Sequence, residues 1–145
     1  MAAVLALGVG TAALTAACAA PTTSTSEVRR QAHLSAEAAL SELATVELAT
    51  RTRLRGDAFW TSTDVTVTAS EGALSTVEQT FTSRQPPRPA GPLWSRTGDA
   101  LARAADVVVD VRVAVRRHDE HELRTLLPDL RWVQRRLETI ESETA

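Results

Sequence analysis

Apolar positions recur along this chain at alternating intervals of three and four residues. Trp60, Thr63, Val67, Ser70, Leu74, Val77 and Phe81 form one such series, and Trp94, Thr97, Leu101, Ala104, Val108, Val111 and Val115 form another. Leu123, Leu126, Leu130, Val133, Leu137 and Ile140 form a third with no polar interruption. That interval places each series on one face of an α-helix. A fourth stripe, richer in alanine, runs through Ala32, Ala36, Ala39, Leu40, Leu43, Val46 and Leu54. The pattern predicts helices over residues 27–55, 57–83, 93–117 and 120–143.

The boundaries carry their own signals. Ser24 with Glu27, and Asp119 with Glu122, have the spacing of a capping box, in which side chains satisfy the unpaired amides of a first helical turn. Asp57 is the expected N-cap of the second helix, and Gly56 the stop of the first. Residues 84–92 read RQPPRPAGP, four prolines in nine residues, which excludes a helix or central strand and predicts a stiff connection. Pro128 falls inside the fourth segment and is expected to kink or delay it, because it removes a backbone donor and crowds the preceding turn.

Short or stiff connections between four amphipathic segments predict an all-α fold, an up-down antiparallel four-helix bundle over residues 27–145. The rival is an α+β fold, since residues 109–115 alternate as VDVRVAV and valine favours strands. Neither that stretch nor the weakly alternating residues 64–69 is bounded by turn residues, however, and two isolated strands make only a marginal sheet.

Composition narrows the chemistry. The length, 145 residues, suits one domain, and a net charge of −2 lacks the basic excess that a nucleic-acid partner requires. All the basic residues apart from three histidines are arginine; Lys, Asn and Tyr are absent, the mark of a high-GC genome such as an actinobacterium. No lysine is available for Schiff-base chemistry, and the one cysteine, Cys18, cannot form an intramolecular disulfide. There is no GxSxG and no phosphate-binding glycine loop, so no enzyme and no cofactor is expected.

Two clusters are candidate sites. An up-down bundle brings Arg51, Arg53, Arg55, Arg116 and Arg117 to one tip. These complement the negative ends of helix dipoles, and they are also candidates for docking a partner. His118, His121 and Glu122 lie beside them with donor types suited to zinc or copper. The function expected is a non-enzymatic module that binds a protein or another envelope component. The alternative is a carrier of metal or a small ligand, through that cluster or a cavity near Trp60 or Trp94.

No charged residue precedes Glu27, and residues 2–17 form one apolar run of small residues. As a helix it would be about 24 Å long, short of the roughly 30 Å hydrocarbon core, which suits an export signal better than a permanent span. The run ends Leu14-Thr15-Ala16-Ala17-Cys18. This resembles the lipobox of bacterial lipoproteins, although Leu14 stands one place further from the cysteine than the family's usual leucine. The resemblance covers residues 1–18 and implies a signal peptide over 1–17, cleavage before Cys18, and acylation of Cys18, with palmitate among the usual chains. Residues 18–26 would then be a tether, and the protein would sit on the outer face of the cytoplasmic membrane. In general style the chain resembles small actinobacterial lipoproteins, with no specific family for residues 27–145. Simple secretion, with Ala17-Cys18-Ala19 as the cleavage site, and an uncleaved anchor are the alternatives. The Cys18→Ala change is expected to move the protein from the membrane fraction to the soluble fraction on cell fractionation.

Overall fold

A computed structural model describes residues 24–84 and 86–145. It contains four helices: α1 (Thr25–Leu54), α2 (Trp60–Thr82), α3 (Gly91–Arg116) and α4 (Glu120–Thr144), with a single 3₁₀ turn at Arg88–Ala90 before α3. No strand occurs among the described residues. The signal-peptide and lipobox assignments, Cys18, and the tether before Ser24 lie outside them.

The caps explain where the helices start. Ser24 Oγ accepts from the Glu27 amide at 3.2 Å, and Asp119 Oδ1 accepts from the Glu122 amide at 2.9 Å. Each is one half of the expected capping box; the Glu27 carboxylate turns instead to Arg30, 2.6 Å away. Helix α1 therefore begins at Thr25, inside the stretch expected to be tether. Asp57 is not the cap of α2. It pairs with Arg55 at 3.0 Å, and α2 begins three residues later behind Phe59, which provides no side-chain cap. The Phe59 carbonyl instead accepts from the hydroxyls of Ser62 and Thr63.

Packing follows the stripes closely. Leu123, Leu126, Leu130, Val133, Leu137 and Ile140 of α4 are all buried. Val111 and Val115 are buried while Val109 and Val113 are only partly covered, so the VDVRVAV stretch packs with helical and not strand periodicity. Trp60, Trp94 and Val77 lie partly covered at the edge of the core. Buried Thr63, Thr97 and Thr144 each return their hydroxyl to the carbonyl four residues earlier, so these three polar side chains enter the core satisfied.

The helices form a ring in which α1 meets α2, α2 meets α3, α3 meets α4 and α4 meets α1. Across the middle, α1 and α3 come together while α2 and α4 do not. Residue size accounts for this skew. Ala32, Ala36 and Ala39 on α1 and Ala100, Ala104 and Ala114 on α3 are buried and let those backbones approach. Leucines on α4, with Leu74 and Phe81 on α2, fill the longer diagonal.

Helix α4 continues through Pro128 without interruption. The ring leaves the Arg124 carbonyl without its usual amide, a loss that the leucine face outweighs. Because Pro128 is exposed, Pro128→Ala restores the bond without disturbing the core. It is expected to stabilise the protein by about 1–3 kcal/mol in urea unfolding.

Candidate functional site

The tip forms where α1 ends, α2 begins, α3 ends and α4 begins. Two turns of one kind build it. At the end of α1, the Gly56 amide donates to the Arg53 carbonyl and the Asp57 amide to the Thr52 carbonyl, with Gly56 at φ +83°. At the end of α3, the His118 amide donates to Val115 and the Asp119 amide to Ala114, with His118 at φ +56°. Both are Schellman caps, which need a left-handed residue directly after the helix. Glycine fills that place without strain in the first turn; in the second, a histidine does. Asp119 closes α3 and caps α4 at once, so the α3–α4 connection is as short as the two caps allow.

His118 stacks on Trp60, centroids 4.7 Å apart and planes inclined by 19°. The Arg53 guanidinium lies 4.4 Å from the centre of the same indole. Arg53 also donates to the Ala58 carbonyl at 2.5 Å and to Glu120 at 3.2 Å. Glu120 in turn holds Arg124 at 2.9 Å. These two arginines keep the Glu120 carboxyl below its ordinary range, chiefly through the bond from Arg53.

Four of the five arginines expected to dock a partner therefore have internal work. Arg51 pairs with Glu47, Arg53 with Glu120, Arg55 with Asp57, and Arg116 with Asp64. Arg117 forms no ion pair with a described residue. The tip is neutralised by its own acids, and its arginines hold turns and helices together. The histidine cluster is not assembled either. His118 turns to Trp60, His121 and Glu122 stand exposed on the first turn of α4, and no group of three or more His, Cys, Asp or Glu among the described residues is placed to hold a metal ion. At the opposite end, His33 contacts the Glu141 carbonyl at 3.2 Å. Trp94 stacks on Phe81 at 4.0 Å, which closes that end of the α2–α3 pair.

Charge divides the four seams of the ring. Arg131–Glu47 and Arg53–Glu120 join α4 and α1, Arg116–Asp64 and Arg112–Glu71 join α3 and α2, and Arg96–Glu143 and Arg103–Asp129 join α3 and α4. Burial pushes the Glu47 carboxyl up, but bonds from Arg131 and Gln134 and the charge of Arg51 outweigh it and hold it below the ordinary range. Among the described residues no ion pair crosses α1–α2. That seam instead carries two shallow grooves of about 210 Å³ each, lined by Thr, Ser, Ala, Leu, Val and Gln without a single charge. Their volume is below the roughly 300–1,000 Å³ typical of small-molecule pockets.

Sequence reasoning missed this face. Among the described residues, the large apolar side chains left exposed are Leu34, Leu48, Phe59, Val65 and Trp132, and the first four belong to α1, α2 or the turn between them. Leu34 and Leu48 line the grooves, and Phe59 and Val65, 83% and 65% exposed, are the chain neighbours of Ala58 and Thr66, which line the second. The signal was present in α2: its only charges, Asp64, Glu71 and Glu78, recur every seven residues and so share the side facing α3. The rest of its surface is uncharged, whereas about a quarter to a third of an ordinary solvated surface is Lys, Arg, Glu or Asp.

Comparison with protein-family models, with curated proteins and with solved structures finds no match for this chain.

The cost of placing histidine in the left-handed position can be measured. His118→Ala and His118→Gly both remove the stack on Trp60, but only glycine relieves the backbone. His118→Gly is expected to be the more stable of the two by about 1 kcal/mol in chemical unfolding.

Proposed function

We propose that this chain is a non-enzymatic cell-envelope lipoprotein, a helical module that binds another protein of the envelope, held at the outer face of the cytoplasmic membrane through Cys18. The observation that carries the binding role is the α1–α2 face: exposed apolar side chains gathered beside uncharged grooves, on a molecule whose other three seams are bridged by arginine and acid. Large apolar side chains exposed together on one side of a molecule support an interaction role for that side.

The anchor is supported by the lipobox-like residues 14–18, followed six residues later by the Ser24 cap of α1. A tether of that length reaches roughly 20 Å when extended, which keeps the bundle close to the surface that holds Cys18. Two or more acyl chains give stable attachment where one is marginal. The long axis of α1, about 45 Å, then leads away from the membrane and presents the two uncharged grooves along its length.

A photo-crosslinking amino acid at Leu48 or Val65 in the living cell tests the binding role. One discrete adduct is expected from both positions and none from Arg135, which is exposed on α4. No adduct at either position would defeat the proposal.

A further inference from the structure

The two α1–α2 grooves lie in line. The α1 positions that line them, from Gln31 to Thr52, continue through one helical row: 31, 35, 38, 42, 45, 49, 52. Every member of that row is small or neutral except Glu42, which sits at its midpoint, between the grooves, partly exposed. Glu42 makes no ion pair with a described residue, in contrast to Glu47 five residues on, which holds two arginines. The row spans 21 steps of a helix, about 32 Å.

We infer that this face receives a helix of a partner protein, laid lengthwise along the α1–α2 seam, with small or apolar residues on its contact side and one lysine or arginine at its centre, opposite Glu42. The inference rests on the binding role proposed above and specifies its chemistry. Three features select this occupant. The grooves run parallel to the helices and are lined by Ala, Ser and Thr, which allow close approach of a second backbone. Leu34 and Leu48, 51% and 64% exposed, provide apolar anchors at either end of the seam. The central carboxylate, enclosed by a docked helix, requires an opposite charge, because leaving it unpaired in a desolvated interface is costly. The same requirement weighs against a second copy: the row that carries Glu42 holds no base, and two such rows laid midpoint to midpoint would bring their own acids together. An anionic membrane surface is disfavoured by the same charge.

The test uses the purified full chain in mild detergent and two synthetic 21-residue helical peptides of alanine and leucine, differing only in a central Lys or Glu, each read by fluorescence anisotropy. The Lys peptide is expected to bind at least tenfold more tightly than the Glu peptide, and Glu42→Lys to reverse that order. Leu48→Glu, a change at an exposed position, is expected to abolish binding of both while circular dichroism and the melting curve stay unchanged. Equal binding of the two peptides, binding of neither, or an order that Glu42→Lys leaves intact overturns the inference. So does a concentration-dependent dimer in sedimentation that Leu48→Glu dissolves, which assigns the face to a second copy. Binding to neutral phosphatidylcholine vesicles lost with the same variant would assign it to lipid instead. If crosslinks at Leu48 persist while the peptides show no charge preference, the binding role stands and only the chemistry assigned to the partner fails.

Discussion

The structure depends on the close approach of α1 and α3 across the centre of the bundle. A chain with one isoleucine and two phenylalanines has few bulky groups to fill a symmetric four-helix interior. Alanines on the inward sides of α1 and α3 shorten one diagonal, and the leucine row of α4 with Leu74 and Phe81 fills the other. The skew removes space that the composition has no side chains to occupy, which matters because an interior void forfeits dispersion contacts on every side of it.

With the centre closed in this way, the ends are secured by other means. Two aromatic stacks, Trp60 on His118 and Phe81 on Trp94, close the two ends of the α2–α3 pair. Each is worth about 0.5–1.5 kcal/mol beyond the area it buries. The Schellman turn at His118 explains why a histidine tolerates a left-handed backbone: the turn aims its ring at Trp60, and the stack offsets part of the conformational cost. The tip arginines belong to the same construction. Their charge serves the fold, since each of Arg51, Arg53, Arg55 and Arg116 already has an acid within the chain.

Most of the architecture was legible in the spacing of apolar residues, because one buried stripe per helix is what a bundle requires. The α4 row is buried in full, and the α1 and α3 rows in large part. What the stripes could not show was the second inward row on α3, at Ala100, Val107 and Ala114, which exists because α3 touches all three other helices. The start of α2 was misplaced because Asp57 has the composition of a cap but is drawn to Arg55. The candidate site was legible only in part. Arginines and histidines stand out in a sequence as chemistry, yet here partners brought by the fold occupy four of the five arginines and the His118 ring. The uncharged flank of α2 leaves a weaker trace, an absence of charge, whose meaning depends on which side the neighbouring helix covers.

The uneven distribution of ion pairs around the ring makes the molecule's response to electrolyte directional. Dissolved salt attenuates attraction between exposed charges over a length of about 8–10 Å at physiological strength, and has no such hold on apolar contact. The hairpin of α1 and α2 is joined by packing alone, while every seam that reaches α3 or α4 from a neighbour includes arginine and acid. Rising ionic strength therefore loosens three joints of the ring and spares the fourth, so the pair of helices that presents the two grooves is also the pair whose mutual geometry changes least with the saltiness of its surroundings.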